Sequence, residues 1–232
     1  MHIGDGIMAP PIWALGYIIA IPILAYATKK TGNTLGNTQI PILGVLAAGI
    51  FVAQMLNFPI GGGTTGHLVG AALAAILLGP YAAVVILTIV LIVQAFLFGD
   101  GGVTALGLNL LNMAIISSFT AYAIYVIGKT IAAGKAGMYI TIFTAAWASI
   151  VISAMMCGIE LGASAALSPE YGIPLHIAVP AMAITHLFIG IGEGIVTVLV
   201  VAYIAAVRPD IILTMKDKRL SKTPMPTTTI EG

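Results

Sequence analysis

The first residues of the chain, MHIGDG, offer three nitrogen atoms that can bind one metal ion. The α-amine of Met1, the backbone nitrogen of His2 and the Nδ1 atom of its ring can close a five-membered and a six-membered chelate ring. The amide must lose its proton to bind, which Ni(II) and Cu(II) promote far better than Zn(II), and such donors suit a square-planar geometry. This start therefore predicts a site for a divalent transition metal with one in-plane position still open.

His67 is the predicted donor for that open position. It follows the glycine-rich stretch GGGTTG and precedes a short apolar segment. A second imidazole is the natural ligand to complete a plane of nitrogens. The alternatives to a metal site are a disordered N-terminus and a histidine near a helix start that forms a surface hydrogen bond.

Other ionisable residues lie in or beside the last apolar segment. His176 is at the start of that segment, and its simplest interpretation is a polar residue at the membrane interface. His186 and Glu193 are seven residues apart, hence on one helix face about two turns apart. Ionisable groups inside a membrane are functional candidates, but a satisfied buried pair or a helix-packing contact explains these two equally well.

No pattern in the chain predicts catalysis. The glycine-rich stretches GGGTTGHL and FGDGGVTALGLN contain no Lys followed by Ser or Thr, which excludes a Walker-type nucleotide site. The sequence also lacks a nucleophile paired with a base, paired carboxylates on a cleft, and a zinc-ligand cluster. Its one cysteine, Cys157, lies in an apolar segment and is interpreted as a small buried residue. Any energy input must come from an ion gradient or from partner proteins.

The composition identifies an integral membrane protein. Of 232 residues, 59% are hydrophobic and 7% are charged, with a mean hydropathy of +1.09, whereas about a quarter of a soluble domain is charged. Helices and closed barrels satisfy the backbone polar groups in lipid, and the alternation expected of barrel strands is absent. The first Lys is Lys29, so the start lacks the basic region of a cleaved signal, and we expect the mature chain to keep Met1. The sequence predicts an all-α fold, a polytopic transmembrane helical bundle.

Gly, Pro and charged residues divide the sequence into seven apolar segments, which predict seven helices. In chain order these segments are about 11–28, 40–57, 66–79, 81–98, 105–128, 137–161 and 175–207. The third has about 14 residues, which cover roughly 21 Å of a hydrocarbon core about 30 Å thick. It must therefore begin below the membrane surface, after a glycine-rich stretch (NFPIGGGTTG) that is a candidate for non-helical chain within protein.

The charges predict the orientation. If the chain starts outside and crosses seven times, the nine basic residues all fall inside: Lys29, Lys30, Lys129, Lys135, Arg208, Lys216, Lys218, Arg219 and Lys222. The same threading gathers on the outer side His2, Asp5, His67, Asp100, Glu160, Glu170 and His176. Under the positive-inside rule the N-terminus is outside and the C-terminus inside. Residues 1–207 then form a transmembrane metal-binding domain, and residues 208–232 form a polar cytoplasmic tail.

Four motifs are distinctive enough to suggest a family, namely MHIGDG, NFPIGGGTTGHLVG, FGDGGVTALGLN and GIGEG. Together they resemble the CbiM/NikM family, the substrate-specific membrane components (S components) of energy-coupling-factor transporters for nickel and cobalt. The resemblance covers nearly the whole chain. It implies seven helices, an amino terminus tucked into the bundle, and a square-planar site of four nitrogens from Met1, His2 and His67. Gly4, where the family more usually has proline, and Leu108 depart from the pattern without touching a proposed ligand.

The resemblance also implies partners and a transport function. The partners are a transmembrane coupling protein, cytoplasmic ATPase subunits, a small accessory membrane subunit and the lipid bilayer, with no nucleic acid. We expect capture and inward delivery of Ni(II) across a prokaryotic cytoplasmic membrane, with Co(II) as the alternative substrate. The chain itself is not expected to be an enzyme, because ATP hydrolysis belongs to the partner subunits.

Two alternatives come from other functional classes. A histidine-dependent membrane redox subunit needs histidines paired across neighbouring helices, and only His186 lies clearly inside a helix. An ion-gradient symporter would use His186 and Glu193 as its coupling pair. Within the metal-site hypothesis, Asp5, Asp100 and Asn109 are candidates to orient the histidine rings, and the sequence does not rank them.

Overall fold

The computed structural model describes residues 1–36, 39–60 and 64–215. Its elements are mostly helices, which confirms the predicted helical bundle. In chain order they are α1 (Pro10–Thr34), α2 (Ile40–Gln54), β1 (Phe58–Ile60), β2 (Thr64–Gly66), α3 (Ala71–Leu78), α4 (Pro80–Phe98), α5 (Leu106–Ile131), α6 (Gly134–Leu167) and α7 (Leu175–Val207). Two single turns of 3₁₀ helix, Pro209–Ile211 and Leu213–Met215, follow α7.

Five helices in the described ranges are long and apolar enough to cross a membrane, namely α1, α4, α5, α6 and α7. Helix α2 has 15 residues, which span roughly 22 Å at the rise of an α-helix. Helix α3 has only 8 residues, because the preceding chain stays extended and forms an antiparallel hairpin in which Phe58 faces Gly66. The short third helix is thus confirmed, and the described parts of the stretch before it are non-helical, mostly two short strands.

The N-terminal segment, residues 1–9, has no helical structure, and its two ends are buried in the protein. Met1 and Ile3 are fully buried. Ile3 forms a β-bridge with Thr64 of β2, and its carbonyl accepts a hydrogen bond from the Gly102 N–H at 2.8 Å. The segment is therefore held between the hairpin on one side and the loop that joins α4 to α5 on the other.

The end of the N-terminal segment is fixed by the connection between α6 and α7. The carbonyl of Ile7 accepts a hydrogen bond from the Gly172 N–H at 2.8 Å, and the Ala9 N–H donates to Oγ of Ser164 at 2.7 Å. Helix α1 begins one residue later, at Pro10. The hairpin, the α4–α5 loop and the α6–α7 connection therefore meet at the end of the bundle where the chain starts.

The basic residues of the described ranges gather at the opposite end of the bundle. They are Lys29 and Lys30 near the end of α1, Lys129 near the end of α5, Lys135 at the start of α6, and Arg208 after α7. The Lys129 ammonium donates to the carbonyl of Thr214 at 3.0 Å, and the Thr214 hydroxyl donates to the carbonyl of Ile76. The start of the predicted tail therefore packs on the bundle. The other basic residues, Lys216, Lys218, Arg219 and Lys222, lie outside the described residues.

The charge pattern placed Glu160 among the outer polar residues, but the structure places it inside a helix. It is 6% exposed within α6 and accepts a hydrogen bond from Nδ2 of Asn112 at 2.6 Å. The predicted helix end at residue 161 is wrong because its glycines are packing positions. A Cβ on Gly158 would lie 2.9 Å from Cα of Val179, and one on Gly162 would meet Leu175 at 2.6 Å. These glycines let α6 continue to Leu167 in close contact with α7.

Helix α1 crosses the start of α5 at two glycines. A Cβ on Gly16 would lie 2.6 Å from the side chain of Leu108, and one on Gly107 would overlap the backbone nitrogen of Tyr17. Helices in membranes often pack in this way, because the hydrophobic effect does not drive them together and small residues let their backbones approach closely. Because α1 starts directly after the N-terminal segment, this crossing also fixes where that segment ends.

We expect the Gly107→Ala substitution to destabilise the protein, because the added methyl group forces α1 away from α5. Overpacking of this kind costs about 1–3 kcal/mol, which should lower the midpoint of thermal unfolding in detergent. Gly44→Ala is the matched control, since a Cβ there meets no atom within 4 Å. Alanine at that helical position should leave the midpoint unchanged or raise it. Equal midpoints for Gly107→Ala and the wild type would contradict this account of the crossing.

Candidate metal centre

The first two residues lie alongside Thr65 of β2. The Met1 α-amine donates a hydrogen bond to the carbonyl of Thr65, and the His2 N–H lies 3.3 Å from its Oγ1 atom. The β-bridge of Ile3 to the neighbouring Thr64 sets this register. The amine and the amide nitrogen, two of the predicted chelate donors, are therefore held beside the strand that leads directly to His67.

The ring of His2 has neighbours at both nitrogens and is 2% exposed. Oε1 of Gln94, near the end of α4, lies 3.1 Å from Nε2, so Nε2–H is the donor in this pair. In this tautomer Nδ1 keeps its lone pair, and it lies 3.3 Å from Oδ1 of Asp100. Nδ1 is the atom that closes a six-membered chelate ring with the His2 amide. A hydrogen bond at one ring nitrogen that fixes the tautomer of the other is typical of histidine ligands of metals.

The ring of His67 stacks on the ring of His2. Their centroids are 4.5 Å apart and their planes differ by 24°. Nδ1 of His67 donates to the carbonyl of Leu68 at 2.6 Å, which leaves Nε2 with a lone pair, buried and without a hydrogen-bond partner. Such an orphaned buried atom is costly unless it has a ligand. The two rings are too close for a porphyrin to lie between them, so the pair does not support the haem-binding alternative.

Burial keeps these nitrogens unprotonated. Loss of solvent lowers the pKa of the Met1 amine to about 5 and the pKa of His2 to about 3. Burial, and next the nearby amine, lower the pKa of His67 well below its ordinary value. At neutral pH all three groups are therefore uncharged, and nitrogen binds metal ions in this form.

The loop between α4 and α5 covers the His2 ring through two glycines. A Cβ on Gly101, which has φ +92°, would lie 3.0 Å from Cδ2 of His2. A Cβ on Gly102 would overlap the peptide that joins Gly4 to Asp5. The GDGG sequence thus allows two backbone segments to approach each other closely.

Of the three polar residues expected to orient the histidine rings, only Asp100 contacts a ring. Asp5 instead accepts hydrogen bonds from the N–H groups of Val103 at 3.1 Å and Thr104 at 2.7 Å. Asn109 binds the backbone of Ile3 twice, through Oδ1 at 2.9 Å and through Nδ2 at 3.1 Å. Asp5 therefore attaches the N-terminal segment to the loop between α4 and α5, and Asn109 of α5 attaches the same segment at Ile3.

The remaining candidates occupy different surroundings. His176 is exposed in the first turn of α7, in keeping with an interfacial residue. His186 is fully buried, and its Nδ1 donates to the carbonyl of Met182 at 2.8 Å. Glu193, 1% exposed, accepts hydrogen bonds from the N–H groups of Val69 and Gly70. His186 and Glu193 thus bind separate backbone groups. A coupling pair would require a direct contact, but within the described ranges no hydrogen bond or ion pair joins the two side chains.

Two residues that hold this part of the chain lie outside the four sequence motifs, namely Gln94, beside the ring of His2, and Gln54, whose Nε2 donates to the carbonyl of Val69 at 2.7 Å. Gln54 and Gln94 are both fully buried, and each is a polar residue within an apolar stretch, FVAQML or LIVQAF. That contrast was the available signal. Among the described residues no group of three or more His, Cys, Asp or Glu side chains forms a metal site. A metal bound here depends on the nitrogens of the backbone.

Comparison with known proteins identifies the family of this chain. The CbiM family profile, described as the cobalt uptake substrate-specific transmembrane region, matches residues 2–211. Over 212 residues the chain is 42% identical to the putative fused nickel transport protein NikMN of Archaeoglobus fulgidus, covering 91% of this chain and 68% of that protein.

Two solved structures resemble the fold. The crystal structure of a truncated transition metal transporter matches with a TM-score of 0.84 at 36% identity, covering 89% of this chain and 99% of the other. The S component of a bacterial ECF transporter matches with a TM-score of 0.52 at 21% identity, covering 73% of this chain and 96% of the other, and this likeness concerns the fold alone. The chain is therefore a multi-pass membrane protein that belongs to the CbiM family of nickel and cobalt transport.

Proposed function

We propose that this protein captures Ni(II) outside a prokaryotic cytoplasmic membrane and delivers it inward as the S component of an ATP-driven energy-coupling-factor transporter. The observation that carries the proposal is the burial of the first residues beside His67, with its unpartnered Nε2 atom. The proposed ligands are the Met1 amine, the amide nitrogen and Nδ1 of His2, and Nε2 of His67. The amine is a ligand only if the mature chain begins at Met1.

The donor set supports a late transition metal. Four nitrogens, one of them a deprotonated amide, favour Ni(II) or Cu(II) in a tetragonal plane over Zn(II). A divalent ion with one amide anion keeps a positive charge, which is costly to bury without a nearby negative group. Asp100, whose Oδ1 is 3.3 Å from Nδ1 of His2 and whose Oδ2 accepts a hydrogen bond from Asn57 at 2.7 Å, supplies that charge.

Nickel is the proposed principal substrate, with cobalt as the alternative. The relative from Archaeoglobus fulgidus is named for nickel, whereas the family description names cobalt. A planar field of four nitrogens favours low-spin Ni(II). Metal analysis of the protein purified from medium containing equal amounts of both ions tests this choice, and predominance of cobalt would reverse it.

The distribution of charge supports an orientation with the N-terminus outside. The described basic residues lie at the end of the bundle away from the N-terminal segment, as the positive-inside rule requires of the cytoplasmic end. A metal site at the other end then faces the source of the ion. We propose that the coupling protein, the ATPase subunits and the accessory membrane subunit complete the transporter, because this chain carries no nucleotide-binding motif.

Vesicles that contain this chain alone should bind Ni(II) without accumulating it. Vesicles with the coupling protein and ATPase subunits should accumulate the ion when ATP is supplied, and should continue after the proton gradient is dissipated. Uptake of radioactive nickel measures both. Sustained accumulation by the chain alone, or loss of uptake together with the gradient, would contradict the proposed mechanism.

We expect His67→Ala to remove the fourth nitrogen and abolish stable metal capture while the protein remains folded. Loss of a residue that only hydrogen-bonds to a ligand typically lowers metal affinity about 10–100-fold. Loss of the ligand His67 itself should lower the affinity by more than that. His176→Ala is the matched control, because that histidine is exposed at the start of α7. Nickel content after purification measures the effect. Full nickel content in the His67 variant would exclude His67 as a ligand.

Any residue added ahead of Met1 should abolish binding, because it converts the α-amine to an amide and because the buried Met1 leaves no room for it. The same tag at the C-terminus should have no effect. Intact-mass analysis must show that the wild type begins at Met1 and that the extension is uncleaved. Normal transport by a verified, extended protein would remove the opening residues from the proposed site.

A further inference from the structure

The chain segment that joins His67 to α3 is held from two helices at once. Glu193 of α7 accepts the N–H of Val69 at 2.6 Å through one carboxylate oxygen and the N–H of Gly70 at 2.8 Å through the other. From α2, Nε2 of Gln54 donates to the carbonyl of Val69 at 2.7 Å. Residues 68–70 are called here the linker. Side chains therefore bind two N–H groups and one carbonyl group of the linker.

These contacts are strong, and the side chains that form them are almost fully buried. Glu193 is 1% exposed and Gln54 fully buried. Hydrogen bonds to a carboxylate are shorter and about twice as strong as neutral ones. The carboxylate also lies at the N-terminus of α3, where the helix dipole favours a negative charge. Among the described residues, no basic side chain forms an ion pair with Glu193, so the linker N–H groups are what stabilise it.

The linker in turn fixes the ring of His67. The carbonyl of Leu68 accepts the hydrogen bond from Nδ1 of His67 at 2.6 Å, and this bond leaves Nε2 as the atom that can bind a metal. Leu68 is joined directly to Val69, whose N–H and carbonyl bind Glu193 and Gln54. A shift of the linker would therefore move the carbonyl that orients the imidazole, and Nε2 would move with the ring.

We propose that Glu193 and Gln54 are positioning residues of the metal site, which hold the linker so that Nε2 of His67 completes the ligand plane. This inference rests on the proposed function, since it assumes that His67 binds the ion. The two side chains come from helices that a cavity of about 320 Å³ partly separates, with Ile50 of α2 and Thr197 of α7 among its lining residues. Affinity thus depends on the spacing of α2 and α7.

The first test measures Ni(II) affinity by competition with a chelator, using the full chain in detergent. Glu193→Gln replaces one acceptor oxygen by an NH₂ group that faces an N–H donor. We expect its affinity to fall about 10–100-fold, the usual effect of losing an outer partner of a metal ligand. Gln54→Leu, which removes the bond to the Val69 carbonyl, should fall in the same direction.

The matched control is Glu160→Gln. Glu160 is also a buried glutamate in a long helix, but it accepts its hydrogen bond from Asn112 of α5, away from the linker. Its affinity for Ni(II) should equal that of the wild type. A general effect of removing a buried carboxylate would instead appear in both glutamate variants.

The second test separates positioning from a general effect on the fold. In a His67→Ala background, Met1 and His2 retain a weaker chelate whose affinity can be measured. Glu193→Gln should cause no further loss there, because its effect acts through His67. An equal loss in both backgrounds would show that Glu193 supports the fold and does not position His67.

The results distinguish this inference from the proposed function. If the wild type binds neither Ni(II) nor Co(II), the proposed function fails and the inference with it. If the wild type binds Ni(II) and both Glu193→Gln and Gln54→Leu bind it equally well, only the inference fails. Should Glu193→Gln yield no folded protein, Gln54→Leu in the two backgrounds decides the question alone.

Discussion

An extended peptide inside a membrane protein must find a hydrogen-bond partner for each backbone N–H and C=O group, because neither lipid nor a packed core supplies one. The N-terminal segment imposes this requirement here. Asn109 binds both backbone groups of Ile3, and Gly102 adds a second donor to the same carbonyl. Ser164 serves Ala9 further along. The hairpin, the α4–α5 loop and the α6–α7 connection therefore surround the N-terminal segment and supply hydrogen-bond partners for its backbone groups.

The chemistry of the candidate centre could be predicted from the sequence because it is local. An amine, an amide and an imidazole within two residues can form a chelate whatever the fold, and the glycine-rich stretch before His67 marked this histidine as the candidate for the fourth donor. The resemblance to a family supplied the tucked amino terminus, which composition does not reveal. The membrane character and the short third helix followed from hydropathy and segment length.

The partners of these residues could not be predicted, because they depend on tertiary contacts between distant parts of the chain. Gln94 is one example. It begins a π-helical turn, Gln94–Phe98, at the end of α4, and such turns often occur at functional sites. Its carbonyl accepts the Asp100 N–H at 3.0 Å while its side chain faces His2. Near Glu160 the glycines led to a wrong prediction of the helix end, because glycines that allow helices to pack closely look the same in sequence as glycines that end a helix.

The contacts of the N-terminal segment also bear on the order in which the protein folds. Residues 1–9 are synthesised well before some of their partners, since Ala9 binds Ser164, 155 positions later. Contacts of such sequence separation form late, because the loop-closure entropy must be overcome before they contribute. The N-terminal segment therefore cannot complete its contacts until the end of α6 and the α6–α7 connection are in place. Met1 and His2, although they precede in the chain every group that surrounds them, are thus among the last to reach their native surroundings.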